Sequence, residues 1–211
     1  MRKSKSHILI ISGILILIAA GGLFIHSRLD DRQAALRAQS VLEQVLSDGW
    51  EITIQAEPNT AYGGTSAAAY EYEDEEDNDD AHASGRYTAI GILEIPGLNI
   101  TLPVFNSSKD ALLEISVGMY MGSVDGKPDR LVIAGHNYRS HFGRISTIKQ
   151  GDIIRFTTKD GVTYSYEMIG SVSVHMNDND AIESCSLWDI TLLTCQRDNT
   201  YRTLVRFREI T

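Results

Sequence analysis

Two strand-like segments joined by a short polar turn constrain the fold of this chain more than any other feature. Residues 190–194 are apolar or β-branched, and residues 203–210 alternate apolar and charged side chains with a period of two. The loop at 196–201 holds Asp, Asn and Thr, which suit turns, so we expect the strands to pair antiparallel. This pairing predicts that Cys195, at the end of the first strand, lies beside Arg202, at the start of the second.

A thiol beside a guanidinium group is expected to be reactive, because a fixed cation favours the thiolate over the neutral thiol. Side chains alternate along a strand, so Val205 and Phe207 share the core face and Arg202 points the other way, toward a surface or groove. The alternative is that Cys195 packs as a small hydrophobic residue and Arg202 is an ordinary exposed strand residue. The two strands by themselves leave both interpretations open.

A long apolar segment near the N-terminus predicts a membrane anchor. Residues 8–25 are almost entirely apolar and follow Arg2, Lys3 and Lys5. Eighteen such residues are enough for a helix to cross a bilayer, whereas the apolar core of a cleaved signal peptide is usually shorter. Cleavage near residues 19–22 is the alternative. We favour an uncleaved single-pass anchor whose preceding cations hold the N-terminus in the cytoplasm and place the rest outside the cell.

Composition divides the chain into four predicted parts. They are a cytoplasmic tip and transmembrane anchor at 1–27, a juxtamembrane helix and arm at 28–56, an acidic disordered linker at 57–86, and a folded domain at 87–211. Eight of the acids that set the formal net charge of −9 lie within residues 71–80, so the remainder is nearly neutral. It has no basic stripe, which excludes a nucleic-acid-binding protein. A calcium loop is the alternative for the acidic run, but no turn glycine interrupts it.

The folded domain contains many short strand-like segments. They are 90–95, 99–105, 131–134, 153–157, 163–169 and 172–175, with a short helix at 109–117 and a polar connection at 176–189. Pro96 and Gly97 end the first strand, Pro103 suggests an edge or a bulge in the second, and Ser107 with Ser108 should cap the helix. This pattern predicts an antiparallel sandwich or a closed barrel.

An attacking thiol needs a proton donor and acceptor, and histidine is the usual choice. Three histidines are set aside because they flank the apolar segment or lie in the linker, namely His7, His26 and His82. Of the rest, His136 is favoured because it follows a buried strand and a glycine, while His141 and His175 could be ordinary surface histidines. A bridge between Cys185 and Cys195 is not favoured. No Cys-x-x-Cys or His-Glu-x-x-His motif predicts a zinc site, and no cofactor is expected.

Several motifs together resemble the sortase family. They are Thr-Leu-Leu-Thr-Cys at 191–195, Tyr-Arg-Thr-Leu-Val at 201–205, Ala-Gly-His-Asn at 134–137 followed by Phe142, and Gly-Ile-Leu-Glu-Ile-Pro at 91–96. The resemblance extends over residues 87–211. It implies an all-β fold, an eight-stranded sortase-type β-barrel with short helices, preceded here by the transmembrane helix. The enzyme class is expected to be A or D, with D preferred on the Arg-x-Leu-Val-Arg ending.

The same resemblance implies a cysteine transpeptidase at the cell surface. Cys195, His136 and Arg202 would be the catalytic residues, with Arg197 and Arg206 as rivals for the arginine, and Thr194 and Asn137 would contact substrate. The expected partners are surface proteins bearing an LPxTG-like sorting signal and a cell-wall or pilin amine as acceptor. A thiol hydrolase of the same fold, or a non-catalytic extracellular binding barrel, is the alternative function.

Overall fold

The computed structural model describes residues 2–54, 85–183, 187–196 and 199–210. The elements in chain order are α1 (Arg2–Asp48), β1 (Glu51–Ile54), β2 (Gly85–Ile95), β3 (Ile100–Phe105), α2 (Asp110–Leu113), β4 (Val117–Asp125), β5 (Lys127–Ala134), β6 (Ile153–Thr158), β7 (Thr163–His175), α3 (Asn179–Glu183), β8 (Ile190–Cys195) and β9 (Tyr201–Glu209). Single 3₁₀ turns at Pro96–Leu98 and Ile145–Thr147 complete the described elements. Most of the predicted acidic linker, residues 57–84, lies outside the described residues.

Eight strands form a closed ring. They run in the order β2, β3, β4, β5, β8, β9, β7, β6, and β6 pairs back onto β2. β1 adds a ninth strand by pairing antiparallel with β2 outside the ring. Because every strand of a closed ring has a partner on each side, no strand of the ring is left as an open edge. The mostly β fold with short helices agrees with the sequence expectation.

Two neighbouring strand pairs are parallel, which corrects the expectation of an antiparallel arrangement. β3 runs parallel to β4 at Val104 and Phe105, and β5 runs parallel to β8 along its last four residues. A parallel pair requires a crossover between its strands rather than a tight hairpin. β6, β7 and α3 supply that crossover between β5 and β8. The alternation of apolar and polar residues along a single strand does not indicate which distant strand it will pair with, so it could not predict this crossover.

The ring encloses the main hydrophobic core, and two smaller clusters lie on its outer side. Inward-facing residues include Leu93, Leu102, Leu131, Ile133, Phe156, Ile190, Leu192, Val205 and Phe207, all nearly or fully buried. One outer cluster joins α1 and β1 to the ring through Val41, Val45, Ile52, Ile92 and Phe105. The other joins β5, β8, β9 and α3 through Val132, Ala134, Leu193, Leu204 and Ile182. β5 and β8 are therefore buried on both faces, which explains their continuous apolar sequence.

Three local predictions are corrected by the structure. Pro103 lies in a strand with neighbours on both sides, but the pairing of β3 with β4 begins only at Val104, so this proline removes no hydrogen bond from that pair. Lys109, rather than a serine side chain, occupies the N-cap of α2. The two segments predicted at 163–169 and 172–175 are one strand, β7, with a register irregularity between Met168 and Gly170.

Helix α1 is continuous over 47 residues and ends immediately before Gly49, where the sequence indicates a helix stop. Its second half packs on the ring through Ala34, Ala38 and the outer cluster described above. Within the part of the chain that the structure describes, no helix is long and apolar enough to cross a membrane.

The close approach of β4 to the chain after β3 generates the first prediction. A Cβ atom at Gly118 would overlap the backbone carbonyl of Ser107, whereas a Cβ at Gly170 would meet no atom within 4 Å. A backbone carbonyl can move away from an added atom less easily than the end of a flexible side chain can. We therefore expect Gly118→Ala to lower the free energy of unfolding by about 1–3 kcal/mol in urea denaturation.

Gly170→Ala is the matched control, because it makes the same chemical change in another strand of the ring, β7, where the added atom has room. It should leave the free energy of unfolding unchanged or raise it by up to about 1 kcal/mol, since alanine restricts the unfolded chain more than glycine. Equal stability of the two variants would contradict the prediction.

Candidate active site

Cys195 and Arg202 lie directly opposite each other on paired strands. β8 ends at Cys195, and the antiparallel register of β8 with β9 makes Arg202 its partner. Directly opposite Cα atoms in such a pair are about 5 Å apart. Cys195 is a free, partly exposed thiol, and Arg202 is only 8% exposed. The predicted antiparallel pairing of the two strands is confirmed.

Arg202 points away from the interior of the ring, as the alternation predicts, because Val205 and Phe207 belong to the main core. It is nevertheless buried, since the outer face of β9 is covered. Arg202 pairs with Val174 of β7, and Leu204 packs in the outer cluster that includes α3. The alternative interpretation of Arg202 as an exposed strand residue is wrong, because Ala181 and Ile182 of α3 and the ring of Trp188 pack on this face.

The parallel pairing of β5 and β8 brings His136 to the same edge as Cys195. Ala134 pairs with Leu193, and the Gly135 N–H donates to the Leu193 carbonyl at 3.0 Å. The Thr194 hydroxyl donates to the Gly135 carbonyl at 2.8 Å, so the register extends one residue beyond the strand. His136 follows Gly135 just as Cys195 follows Thr194. The two side chains therefore leave adjacent chains at equivalent positions.

Residues 135–144, which we call the His136 loop, are tightly hydrogen-bonded to themselves. The Phe142 N–H donates to the His136 carbonyl at 3.1 Å, and the Gly143 N–H donates to the Tyr138 carbonyl at 2.8 Å. Phe142 is fully buried in the main core and anchors the far side of the loop. A side chain at Gly143 would overlap the Asn137 carbonyl, so this close turn requires glycine. The loop is a defined structure whose geometry fixes His136.

A carboxylate from α2 contacts the His136 ring. His136 Nε2 lies 3.4 Å from Asp110 Oδ1, and their side chains are 31% and 79% exposed. Tyr138 packs edge-to-face against His136 on another side, with ring centroids 5.4 Å apart. The imidazole is therefore oriented by a carboxylate and an aromatic ring while part of it stays open to solvent.

His141 lies inside the protein rather than on its surface, which corrects the sequence expectation. Its side chain is fully buried against the backbone of Ala34, Leu113 and Ile115, and it packs edge-to-face on Tyr138 at 5.4 Å. Burial, with a smaller effect from the charge of His136, lowers the pKa of His141 to about 4. A neutral, enclosed imidazole has no access to substrate, so His141 belongs to the scaffold of the His136 loop.

The remaining residues that the sequence singled out differ in where they lie relative to Cys195 and His136. Asn137 is exposed at the rim of the loop, and Thr194 is buried with its hydroxyl directed to Gly135. His175 is exposed at the end of β7 with its ring edge-to-face against Tyr201. Arg197, a rival for the arginine role, and Cys185, the other half of the bridge considered above, lie outside the described residues.

Arg206 and Trp188 form a contact that the sequence interpretation missed. The Arg206 guanidinium lies 3.7 Å from the centroid of the Trp188 ring and donates to the Ala181 carbonyl at 2.9 Å. Arg208 donates to the Leu187 carbonyl at 2.8 Å. These two arginines therefore bind α3 and residues 187–188 to the outer face of β9. Trp188 and the buried Ile182, apolar residues within a polar connection, were the available indication of this packing.

The assembled groups suit nucleophilic acyl transfer. A partly exposed thiol, an imidazole and a buried guanidinium occur at neighbouring strand ends, which is the set needed for a nucleophile, a proton carrier and a stabiliser of negative charge. Among residues 2–54, 85–183, 187–196 and 199–210, no three His, Cys, Asp or Glu side chains lie together as metal ligands.

Comparisons with known proteins point to one family. Residues 93–209 match the family model described as the Sortase domain. The chain is 31% identical to Sortase A of Bacillus anthracis over 122 residues, which cover 55% of this chain and 57% of that protein. The chain thus spans little more than half the length of this curated relative.

Two solved structures extend the similarity to the fold. Sortase A from Corynebacterium diphtheriae is 27% identical with a TM-score of 0.54, over 59% of this chain and 62% of that one. Sortase C of Clostridium perfringens, solved with the C-terminal cell wall sorting motif, is 26% identical with a TM-score of 0.51, over 58% of this chain and 71% of that one.

The buried His141 predicts a pH dependence of stability. Its folded-state pKa of about 4 lies below the ordinary value near 6.5, so the unfolded chain takes up a proton first as the pH falls. The contribution of neutral His141 is therefore complete above about pH 6.5 and is lost progressively down to pH 4. We expect a loss of about 3 kcal/mol in the free energy of unfolding across this window.

His141→Leu should flatten the dependence of the unfolding free energy on pH between 6.5 and 4. His175→Gln, which removes an exposed imidazole, is the control and should retain the slope of the parent protein. Denaturant titrations at half-unit pH intervals measure both. A His141→Leu variant with the full parental slope would assign the pH dependence to other groups.

Proposed function

Because the chain belongs to the sortase family of cysteine transpeptidases, we propose that it cleaves an LPxTG-like sorting motif in surface proteins and transfers the acyl group to an amine. The acceptor is a cell-wall or pilin amine. The observation that carries the proposal is the meeting of three strand ends, which supply Cys195, Arg202 and His136 at one edge of the ring. Class A or D remains our proposed assignment within the family.

The first half-reaction forms a thioester. The Cys195 Sγ, as thiolate, attacks the carbonyl carbon of the motif threonine, and the carbonyl oxygen becomes negatively charged. Collapse of this intermediate breaks the bond between the threonine carbonyl and the next residue's nitrogen. The departing amine takes a proton from His136, which acts as the general acid.

The second half-reaction reverses the proton transfer. The acceptor amine attacks the thioester carbonyl, and neutral His136 takes the proton that the amine loses. The carbon–sulfur bond then breaks and returns the Cys195 thiolate. The net change is exchange of one amide bond for another, which needs no cofactor or metal.

Arg202 is the proposed stabiliser of the negatively charged oxygen in both intermediates. Its position opposite Cys195 and its burial support this role, because a guanidinium shielded from water acts more strongly on a developing charge. Arg206 is the weaker candidate, since its guanidinium is stacked on Trp188 and bonded to Ala181.

Asn137 is proposed to act at the rim of the same site, whereas Thr194, which is buried with its hydroxyl bound to Gly135, is proposed to align the site instead of contacting substrate. The hydroxyl of Thr194 ties β8 to Gly135 and so aligns the Cys195 and His136 positions. Asn137 is exposed next to His136, where its amide can contact the backbone of a bound peptide. The similar sortase C of Clostridium perfringens, solved with a C-terminal cell wall sorting motif, supports a peptide of this class.

The proposed location is the outer side of a cell membrane, with a single N-terminal span and a cytoplasmic N-terminus. Support comes from the sequence, in which three cationic residues precede the apolar segment at 8–25. The acidic segment between α1 and the ring is proposed to act as a spacer. An enzyme that modifies surface proteins requires its site on that side.

The proposal predicts amine-dependent transfer by the full-length chain. A peptide carrying the sorting motif and a fluorophore should give an adduct with an added primary amine, measured by mass spectrometry. Cys195→Ala should lower kcat/KM at least about a thousandfold, because no other group replaces the nucleophile. Cys185→Ala is the matched control and should stay near parental activity. Cleavage that yields only the free acid at every amine concentration would indicate a hydrolase.

A second prediction concerns the arginine. Arg202→Ala should lower kcat by about 10²–10³-fold while the circular dichroism spectrum and unfolding transition stay cooperative. Arg155→Ala is the control, because Arg155 is an exposed arginine on β6 that lies 3.5 Å from Glu94 and contacts neither the site nor the covering segment, and it should change kcat less than threefold. Near-parental kcat for Arg202→Ala would move the role to Arg206 or Arg197.

A further inference from the structure

Helix α1 contacts the His136 loop directly, although the two lie more than a hundred residues apart in the sequence. The Asp31 side chain accepts a hydrogen bond from the Arg139 backbone N–H, with Oδ1 at 2.9 Å. The Asp31 backbone carbonyl accepts another from the Ser140 hydroxyl at 3.3 Å. One helical residue therefore binds two consecutive residues of the loop that carries His136.

Small side chains let the helix approach closely around these hydrogen bonds. Ala34 and Ala38 follow Asp31 on the same face of α1 and are 2% and 4% exposed. Ala38 belongs to the main core together with Phe142, the anchor of the loop. The buried His141 ring lies against the backbone of Ala34. The middle of α1 is thus packed directly against the His136 loop.

A series of aromatic contacts connects the part of the loop that packs on α1 to the ring of His136. His141 packs edge-to-face on Tyr138, which in turn packs edge-to-face on His136, each with centroids 5.4 Å apart. Edge-to-face pairs have a preferred geometry, so a shift of one ring changes the favourable position of the next. A displacement of α1 or of His141 is therefore expected to shift the ring of His136 as well.

The helix also supports the opposite side of His136. Arg37 of α1 lies 3.7 Å from Glu114, the C-cap residue of α2. The first residue of α2 is Asp110, whose carboxylate contacts His136 Nε2. Both the loop that bears His136 and the short helix that faces it are consequently attached to α1.

We propose that Asp31 is a positioning residue for His136, and that the middle of helix α1 is a structural part of the active site. The inference rests on the proposed function for the role of His136. Asp31 touches no reacting atom. It acts by fixing the backbone at residues 139 and 140, and small displacements of a catalytic group are costly for rate. Helix α1 would then set the geometry of catalysis as well as link the domain to the N-terminus.

The test compares three variants in the full-length chain. Asp31→Ala removes the acceptor of the Arg139 N–H. Asp31→Asn retains an acceptor oxygen and removes only the charge. Asp30→Ala, one residue earlier on α1, removes a carboxylate whose described hydrogen-bond partner is the exposed His26, and serves as the control.

Two measurements are made on each variant. Amide hydrogen exchange of residues 139–143 reports the loop without any substrate, and we expect it to quicken at least about tenfold in Asp31→Ala. Peptide transfer should show kcat lowered about tenfold with KM within twofold, because the loop aligns His136 and does not hold the peptide. Asp31→Asn should recover most of both values, and Asp30→Ala should match the parent.

Several results would overturn the proposal. Parental exchange and kcat in Asp31→Ala would do so, as would an Asp31→Asn variant as impaired as Asp31→Ala. If Asp31→Ala does not fold, Ser140→Ala removes the second hydrogen bond from the loop side and should raise exchange and lower kcat. A parent protein that transfers no peptide would contradict the proposed function, whereas the exchange comparison would still decide the role of Asp31.

Discussion

The parallel pairing of β5 with β8 is the constraint on which the candidate site depends. It places the end of one buried strand beside the end of another that is 60 residues later in the chain, and the Thr194 hydroxyl extends the alignment to Gly135. β8 also pairs antiparallel with β9, so Arg202 is added at the same edge. Because both pairings are fixed by backbone hydrogen bonds inside a closed ring, the backbone positions of the three proposed catalytic residues are held in register with one another.

A second layer of apolar packing, on the outer side of the ring, buries the Arg202 guanidinium at this edge. The outer faces of β5, β8 and β9 would otherwise be open to water, but α3 and Trp188 cover them, with Arg206 and Arg208 holding the covering segment. Arg202 is therefore buried while Cys195 remains partly exposed. Lower access of water strengthens the action of a guanidinium on nearby negative charge. The cover thus connects a packing feature to the chemistry proposed for Arg202.

The N-terminal helix α1 also contributes to the candidate site, through its contacts with the ring and with the His136 loop. Its second half packs on the ring through alanines and valines, and Asp31 binds the loop that bears His136. His141, a neutral imidazole enclosed beneath that loop, fills the space between helix and ring. The division of the chain into anchor, juxtamembrane helix, linker and catalytic domain, which composition suggests, therefore omits a contact between the second part and the last. Under our proposal, the position of His136 depends on α1 as well as on the strands of the ring.

The sequence by itself determined the features that depend on neighbouring residues. Period-two alternation and the polar turn specified the β8–β9 pair, Cys195 opposite Arg202, and the inward direction of Val205 and Phe207. The run at 131–134 identified a buried strand that ends two residues before His136. Only the tertiary structure decided the parallel pairs, the burial of Arg202 and His141, and the contact of Asp31 with the His136 loop. The physical reason is that a crossover, a covering segment or a helix docked from a hundred residues away leaves no periodic pattern in the residues it touches, since each such contact is set by the closure of the whole ring.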